Sequence, residues 1–399
     1  MTVTTMRRGL SLLALMALGA CGGGTDLSTV PTSTKGDPDS PAVSGSTTDS
    51  TAPVVESTTT VVPAPVTISL AMAGDTLIHS QVWRAAQANT PGGSGYDFTP
   101  MFTEIAPIIQ GADLAICHME TPLVTVGNDP TTNPLYSAPI EIAWALKATG
   151  FDRCSTASNH TFDKGVAGIE ATIAEFEAIG MGQSGMARTP EEIEPRIFEV
   201  EGVRISHLSY TYGFNGIKAP NGETWRSALL DPDRVIADAQ KARDLGATVV
   251  IVSIHWGDEN KTQLNDQQVS ASDAITRSGL VDLIIGHAAH VVQPIQQVNG
   301  KWVIFGLSNL ISFLPTTDAF PAKTQDGMIV TTDITISPDG TVTVDKPVAY
   351  PTWVDKRNGV VVRDVLNGVS RTDLPPGVAE TLAESLERTR AVVGEFLPA

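Results

Sequence analysis

Several apolar runs in this 399-residue chain finish on side chains able to bind a metal or move a proton: Asp75, Glu120, Asn159-His160, His255, and His287 with His290. The densest stretch is Arg153–Gly165, RCSTASNHTFDKG, where an amide, an imidazole and a carboxylate (Asp163) meet at a strand-to-helix turn. A hydrophobic core has no use for such a cluster, because every polar group carried inside must find a new partner. Imidazole, carboxylate and amide oxygen form a borderline-to-hard donor set suited to Zn, Mn or Fe, as one ion or two, rather than a thiolate site. Two such ions about 3.5–4 Å apart can share a bridging carboxylate and activate a water at neutral pH. In that scheme Asp75, Glu120, Asn159, His255, His287 and His290 are the candidate metal ligands. His160 would stand beside the ions as general acid, with Asp163 fixing its tautomer and orientation.

Each residue alone has a plainer reading. Asp75 after a glycine is often a turn residue or helix cap, Glu120 before Thr-Pro a solvated loop acid, and His255 a hydrogen-bonded structural histidine. Their shared place at strand ends is what argues for one site, since open α/β sheets gather ligands at the carboxyl ends of their strands.

The elements that must carry these residues follow from hydropathy. VTISLAMAGD (66–75), ADLAICHMETPL (112–123), the run into Asn159-His160, ATVVIVSIHWGDE (247–259) and VDLIIGHAAHVVQP (281–294) are near-continuous apolar strands. Helices are expected at 78–88, 102–110, 140–149, 166–179, 233–245, 266–278 and 377–396. A hairpin turns at Glu201-Gly202, and later alternating strands turn at Pro338-Asp339-Gly340. The loop 210–223, with its glycines, prolines and aromatics, is placed to rim a pocket. Strand–helix repetition with apolar strands predicts an α/β fold whose sheets are mixed and covered on both faces.

The composition is that of a globular chain, 42% hydrophobic and 18% charged, and the formal net charge of −18 argues against nucleic acid as a partner. It leaves an anionic substrate open, because a bound metal can invert the local field. Lys164, Arg84 and Lys218 are the basic residues nearest the motifs, placed either to contact an anionic partner or simply to be solvated. Residues 1–21 have the form of an export signal: Arg7 and Arg8, an apolar stretch over 10–18, then Leu18-Gly19-Ala20-Cys21. Cysteine directly after Leu-x-Ala resembles a bacterial lipobox, in which Cys21 is lipidated; the plainer alternative is an ordinary cleaved secretory signal. The expected localisation is the cell membrane, as an exported lipoprotein on the extracytoplasmic side. Residues 22–65, rich in Gly, Ser, Thr, Pro and Val, read as a disordered tether with a span of about 35 Å. Cys117 and Cys154 both fall in strands and can be a disulfide or two packed thiols.

The motifs Gly74-Asp75, Asp113 with His118-Met119-Glu120-Thr121-Pro122, Ser158-Asn159-His160 with Asp163 and Gly165, and His255-Trp256-Gly257 come in a set order. Gly286-His287-Ala288-Ala289-His290-Val291 and Gly306-Leu307-Ser308-Asn309 complete it. Over about residues 66–315 the set resembles the CapA poly-γ-glutamate capsule family, a branch of the calcineurin-like metallophosphoesterases. The resemblance implies a four-layer αββα sandwich of two mixed sheets, expected to occupy 66–350; residues 351–399, with the amphipathic helix at 377–396, are expected to be a C-terminal extension. It also implies a role in synthesis, anchoring or export of poly-γ-glutamate or a related envelope polymer. Expected partners are that anionic polymer or a phosphoester substrate, membrane synthase subunits, and the membrane through Cys21. Three positions depart from the pattern. Leu77 stands where Asp-x-His would place a histidine, His118 where many members have Asn, and Ala288 where a second consecutive histidine is common. A metal-dependent hydrolase and a non-catalytic accessory lipoprotein both remain open, and so do a ligand role for His79 and for His118.

Overall fold

The computed structural model describes residues 64–124 and 128–398. Cys21 and the tether as far as residue 63 lie outside them.

The chain begins the first sheet with β1 (Val66–Thr76), β2 (Leu114–Met119), β3 (Arg153–Ser155) and β4 (Gly182–Ser184), side by side and parallel. It then builds a second sheet from β5 (Ile197–Val200), β6 (Val203–Thr211), β7 (Val249–His255), β8 (Leu283–His287), β9 (Ile295–Val298) and β10 (Lys301–Ile304). The last strands, β11 (Asn309–Ile311), β12 (Asp326–Ile336), β13 (Val342–Val344), β14 (Val348–Asp355) and β15 (Val361–Asp364), return to the first sheet. There β12 runs antiparallel to β1 along eight paired residues, so both sheets are mixed.

Strand alternation creates the layers. In β1, Ile68, Leu70 and Met72 meet Ile205, Val249, Ile251 and Leu283 of the second sheet in one buried core. The opposite face of β1, with Ala71 and Ala73, packs on α1 (Ser80–Ala88), α2 (Ala106–Gln110) and α3 (Glu141–Thr149). Beyond them α4 (Gly165–Ala178) covers β3 and β4. On the outer side of the second sheet, Val250, Val252 and Ile254 pack under α5 (Pro232–Asp244) and α6 (Asp266–Arg277). Helix, sheet, sheet, helix is therefore the order of layers, with β2, β7, β8 and most of β1 buried on both faces as near-continuous apolar runs require.

Two boundaries move. The third strand stops at Ser155 rather than running into Asn159-His160. Beyond it Thr161 donates its hydroxyl to the Thr156 carbonyl and accepts from the Ser158 N–H, so the backbone closes into turns. The break after residue 350 falls inside β14, and β15 with α7 (Val365–Gly368) and α8 (Val378–Val393) packs onto that strand. Residues 351–398 thus share the main core through Val354, Val360 and Val362 on the helix side of the first sheet and Val393 and Phe396 between the sheets, and Trp353, Val365, Val378 and Leu382 form a small cluster of their own. Cys117 and Cys154, directly paired across β2 and β3, form a disulfide.

Candidate metal centre

The apolar interface between the sheets gives way, at the carboxyl ends of β1, β2, β7 and β8, to a buried polar cluster. Parity explains most of it. Leu114 and Ile116 face the sheet interface, so His118 does too; Val249 and Ile251 carry His255 there, and Leu283 and Ile285 carry His287. Asp75 has the opposite parity to Ile68, Leu70 and Met72. A bulge corrects it: Met72 pairs with Ile116 but Asp75 with His118, three residues against two. The extra residue re-aims the carboxylate toward the interface.

The glycines before Asp75 and His287 have one shared cause. The segment 305–309, crossing from β10 to β11, lies directly over both strand ends. A Cβ on Gly74 would sit 2.0 Å from the Ser308 carbonyl oxygen, and one on Gly286 would sit 1.9 Å from that of Phe305. The close approach lets the Asp75 N–H donate to Ser308 and the Leu307 N–H donate to Gly286. Ala288, His290 and Ser308 adopt positive φ (81°, 54° and 64°), uncommon for residues with side chains and often found where a site dictates the backbone. In this conformation the Ala288 N–H donates to Asp75 Oδ2 at 2.9 Å.

Around Asp75 the ligand atoms converge in two overlapping groups, Asp75–Glu120–His290 and Asp75–His118–His287, each within 4.8 Å. Asp75 Oδ1 is 3.1 Å from His287 Nδ1 and Oδ2 is 3.5 Å from His290 Nδ1. His290 Nδ1 also lies 2.9 Å from Asn309 Oδ1, and its Nε2 is 3.9 Å from Glu120. Asn159 Oδ1 meets His255 Nε2 at 3.0 Å. A relay backs that pair: His255 Nδ1 is 3.0 Å from His118 Nε2, and His118 Nδ1 is 2.8 Å from Ser155 Oγ.

The electrostatics fit a cation. Both oxygens of Glu120 are buried without a hydrogen-bond partner among the described residues, and so is His287 Nε2. Burial pushes the Glu120 carboxyl up to about 7. Burial acts the same way on Asp75, but hydrogen bonds from His287 and His290 outweigh it and hold that carboxyl well below its usual range. For His290 burial works downward, yet the Glu120 and Asp75 carboxylates lift it to about 10. Burial holds His118 and His255 well below the ordinary imidazole value, hence neutral. Bare carboxylate oxygens facing neutral imidazoles are a donor set for a divalent ion. Asp75, Glu120 and His290 can hold one ion; Asp75, His118 and His287 form the second group, which the Asn159–His255 pair adjoins through His118.

His160 stands beside this cluster. Its Nδ1 is 2.7 Å from Asp163 Oδ2, which also accepts the Tyr136 N–H at 2.7 Å. The Tyr136 ring meets the imidazole edge-on at 4.7 Å, which leaves the ring orientation little freedom. Gly165 closes the turn at φ +57°, where a side chain would strain the backbone rather than clash. Together these residues open onto a cleft of about 560 Å³, lined also by Leu135, Glu259 and Phe320.

All eight residues expected in the site are brought together. His79 is not among the ligand groups. Burial pushes it down to about 4, and its Nδ1 accepts the Phe313 N–H, so it fixes the loop after β11 while lining the cleft. Leu77 is buried apolar packing whose N–H donates to Ile311. His118 does join a ligand group, on a face that the alternation of β2 already assigned. Trp256 is packing, its indole N–H satisfied by the Phe305 carbonyl. Sequence reasoning gave no role to Asn309, Ser155, Tyr136 or Glu259. Asn309 stood in a quoted motif, Ser155 in the stretch 153–165 and Glu259 at the end of the run 247–259, but none carried a signal of its own, and Tyr136 reaches the site from a loop with no local pattern.

Residues 69–313 match the family described as Bacterial capsule synthesis protein PGA_cap. The capsule biosynthesis protein CapA of Bacillus anthracis is 25% identical over 252 residues, 61% of this chain and 59% of that protein. The PGA biosynthesis protein CapA of Bacillus subtilis (strain 168) is 28% identical over 218 residues, 53% of this chain and 56% of that one. The chain thus spans somewhat over half the length of these curated relatives. Among solved structures, the calcineurin-like phosphoesterase YfkN from Bacillus subtilis aligns with a TM-score of 0.46 at 13% identity, covering 82% of this chain and 97% of that one.

Proposed function

Since the chain belongs to the bacterial capsule synthesis family PGA_cap, we propose that it is a metal-dependent hydrolase acting in the synthesis, anchoring or export of poly-γ-glutamate or a related envelope polymer. The observation that carries this reading is Glu120, whose two oxygens are buried and unpartnered within reach of Asp75 and His290. A structural carboxylate would have donors.

When bound, a divalent ion supplies Lewis acidity toward a phosphoryl or carbonyl oxygen and lowers the pKa of water. The chain's own residues do the rest. Asp75, Glu120 and His290, with Asn159, His255 and His287, hold the charge in place. Asp163, accepting from His160 Nδ1–H, orients the ring and stabilises its imidazolium form, whose Nε2–H is the proton given to a leaving group. Leu135, Tyr136 and Phe320 give the cleft a partly apolar wall against which a substrate can pack.

The sequence of residues 1–65 supports a lipid anchor on Cys21 and a tether that holds the folded part outside the membrane. Buried Leu77, in place of a ligating histidine, favours the second reading, an accessory lipoprotein that binds polymer within a synthase complex. The two separate on His160→Ala. A hydrolase keeps its metal and loses turnover on phosphodiester or γ-glutamyl test substrates, whereas an accessory protein turns over neither substrate in either form.

A further inference from the structure

The cleft over the metal centre has an electrostatic peculiarity. Among the described residues lining it there is no Lys or Arg, and Glu259 adds a negative charge. A polyanion bound there has only the metal centre to face, and its remaining carboxylates need cations elsewhere.

Such cations stand next door. Ile217 is a wall shared between the cleft and a second groove, of about 460 Å³, made by the segment 214–229 and the start of α5. Phe214, Ile217, Ala219 and Leu229 give it an apolar lining, and Leu229 is 49% exposed. Lys218 and Arg234 are its two charges, both positive in a chain of formal net charge −18. Lys218 has no ion-pair partner among the described residues. Arg234 has one distant partner, Asp238 at 3.5 Å, whose same oxygen already accepts from the Tyr210 hydroxyl. The groove is also joined to the catalytic turn: the Phe214 ring lies 4.2 Å from Phe162, which stands between His160 and Asp163.

A γ-linked glutamate chain has matching chemistry. Each residue contributes one amide, two backbone methylenes and one free carboxylate, so the polymer offers short apolar stretches between its amides and negative charge at regular intervals. We infer that this groove is the subsite for the residues next to the reacting one, with methylenes on Phe214, Ile217 and Leu229 and carboxylates on Lys218 and Arg234. The inference rests on the polymer reading given above.

The test is isothermal titration of the purified protein with defined γ-linked and α-linked glutamate hexamers, alongside the Lys218→Ala/Arg234→Ala double variant. Metal content and melting temperature of both proteins serve as controls for folding and for the centre. The expected result is γ-hexamer binding that falls about tenfold or more in the double variant, with metal content unchanged and a weaker dependence on salt. Equal affinity of wild type for the two hexamers, or equal γ-hexamer affinity of wild type and variant, overturns the subsite while leaving the polymer reading intact. If wild-type protein binds no γ-hexamer at all, the polymer reading falls and the inference with it.

Discussion

At Glu120 two carboxylate oxygens are buried with no hydrogen-bond partner among the described residues, His290 Nε2 standing 3.9 Å away, so the side chain is either protonated or held against a cation. With its carboxyl at about 7 and the His290 imidazole at about 10, the metal-free centre carries protons that an incoming ion must displace. Metal affinity should therefore fall as pH drops through about 7, and titrations in buffers of different ionisation enthalpy should show proton release. Affinity independent of pH between 6 and 8 would sink this assignment. Glu120→Gln should abolish metal binding yet leave the metal-free protein within about 1 kcal/mol of wild type, because Glu120 accepts no hydrogen bond among the described residues and burial pushes its carboxyl up to about 7. A large drop in melting temperature of the metal-free variant would instead assign Glu120 a structural partner. At His160 the expectation is different in kind: alanine should lower turnover by about 10²–10⁴ with metal content intact, and loss of the metal would place the residue in the wrong role.

At the scale of elements, the motif glycines have a mechanical meaning. Gly74 and Gly286 let the segment 305–309 cross two strand ends at contact distance, and that crossing sets the backbone that Asp75 and His287 extend from. Gly286→Ala should cost about 3 kcal/mol or more and release the metal, read together by thermal melting and metal analysis; near-normal stability would mean the segment gives way easily. This also shows how much could be read beforehand. Near-continuous apolar runs marked β1, β2, β7 and β8, whereas the short β4 and β15 lie outside those runs and were not foreseen; motif order gathered Asp75, Glu120, Asn159, His160, Asp163, His255, His287 and His290. The bulge that re-aims Asp75 could not be read, because Met-Ala-Gly-Asp looks the same with or without an extra residue in the pairing. The early end of β3 was hidden too, since the Thr161 hydroxyl that closes the turn competes with strand pairing only once the fold brings it round. Tyr136 and Glu259 come from loops, where hydropathy carries no positional information.

For the whole molecule, two sheets back to back converge their strand ends on one edge of the sandwich, and that convergence turns scattered polar residues into a site. The Cys117–Cys154 disulfide locks β2 to β3 beside His118 and Ser155, with both cysteines fully buried. Its removal by serine substitution should cost about 2–4 kcal/mol, measured by denaturant titration, and a negligible loss would show that strand packing alone holds the pair. The central claim, that this edge is a metal centre, is tested most directly by metal analysis of the purified wild-type protein and of Asp75→Asn, whose carboxylate belongs to both ligand groups. The account predicts one or two Mn, Zn or Fe ions per wild-type chain, sharply reduced in the variant. Wild-type protein that carries no such metal, and whose melting temperature does not move when Mn or Zn is added, would contradict it.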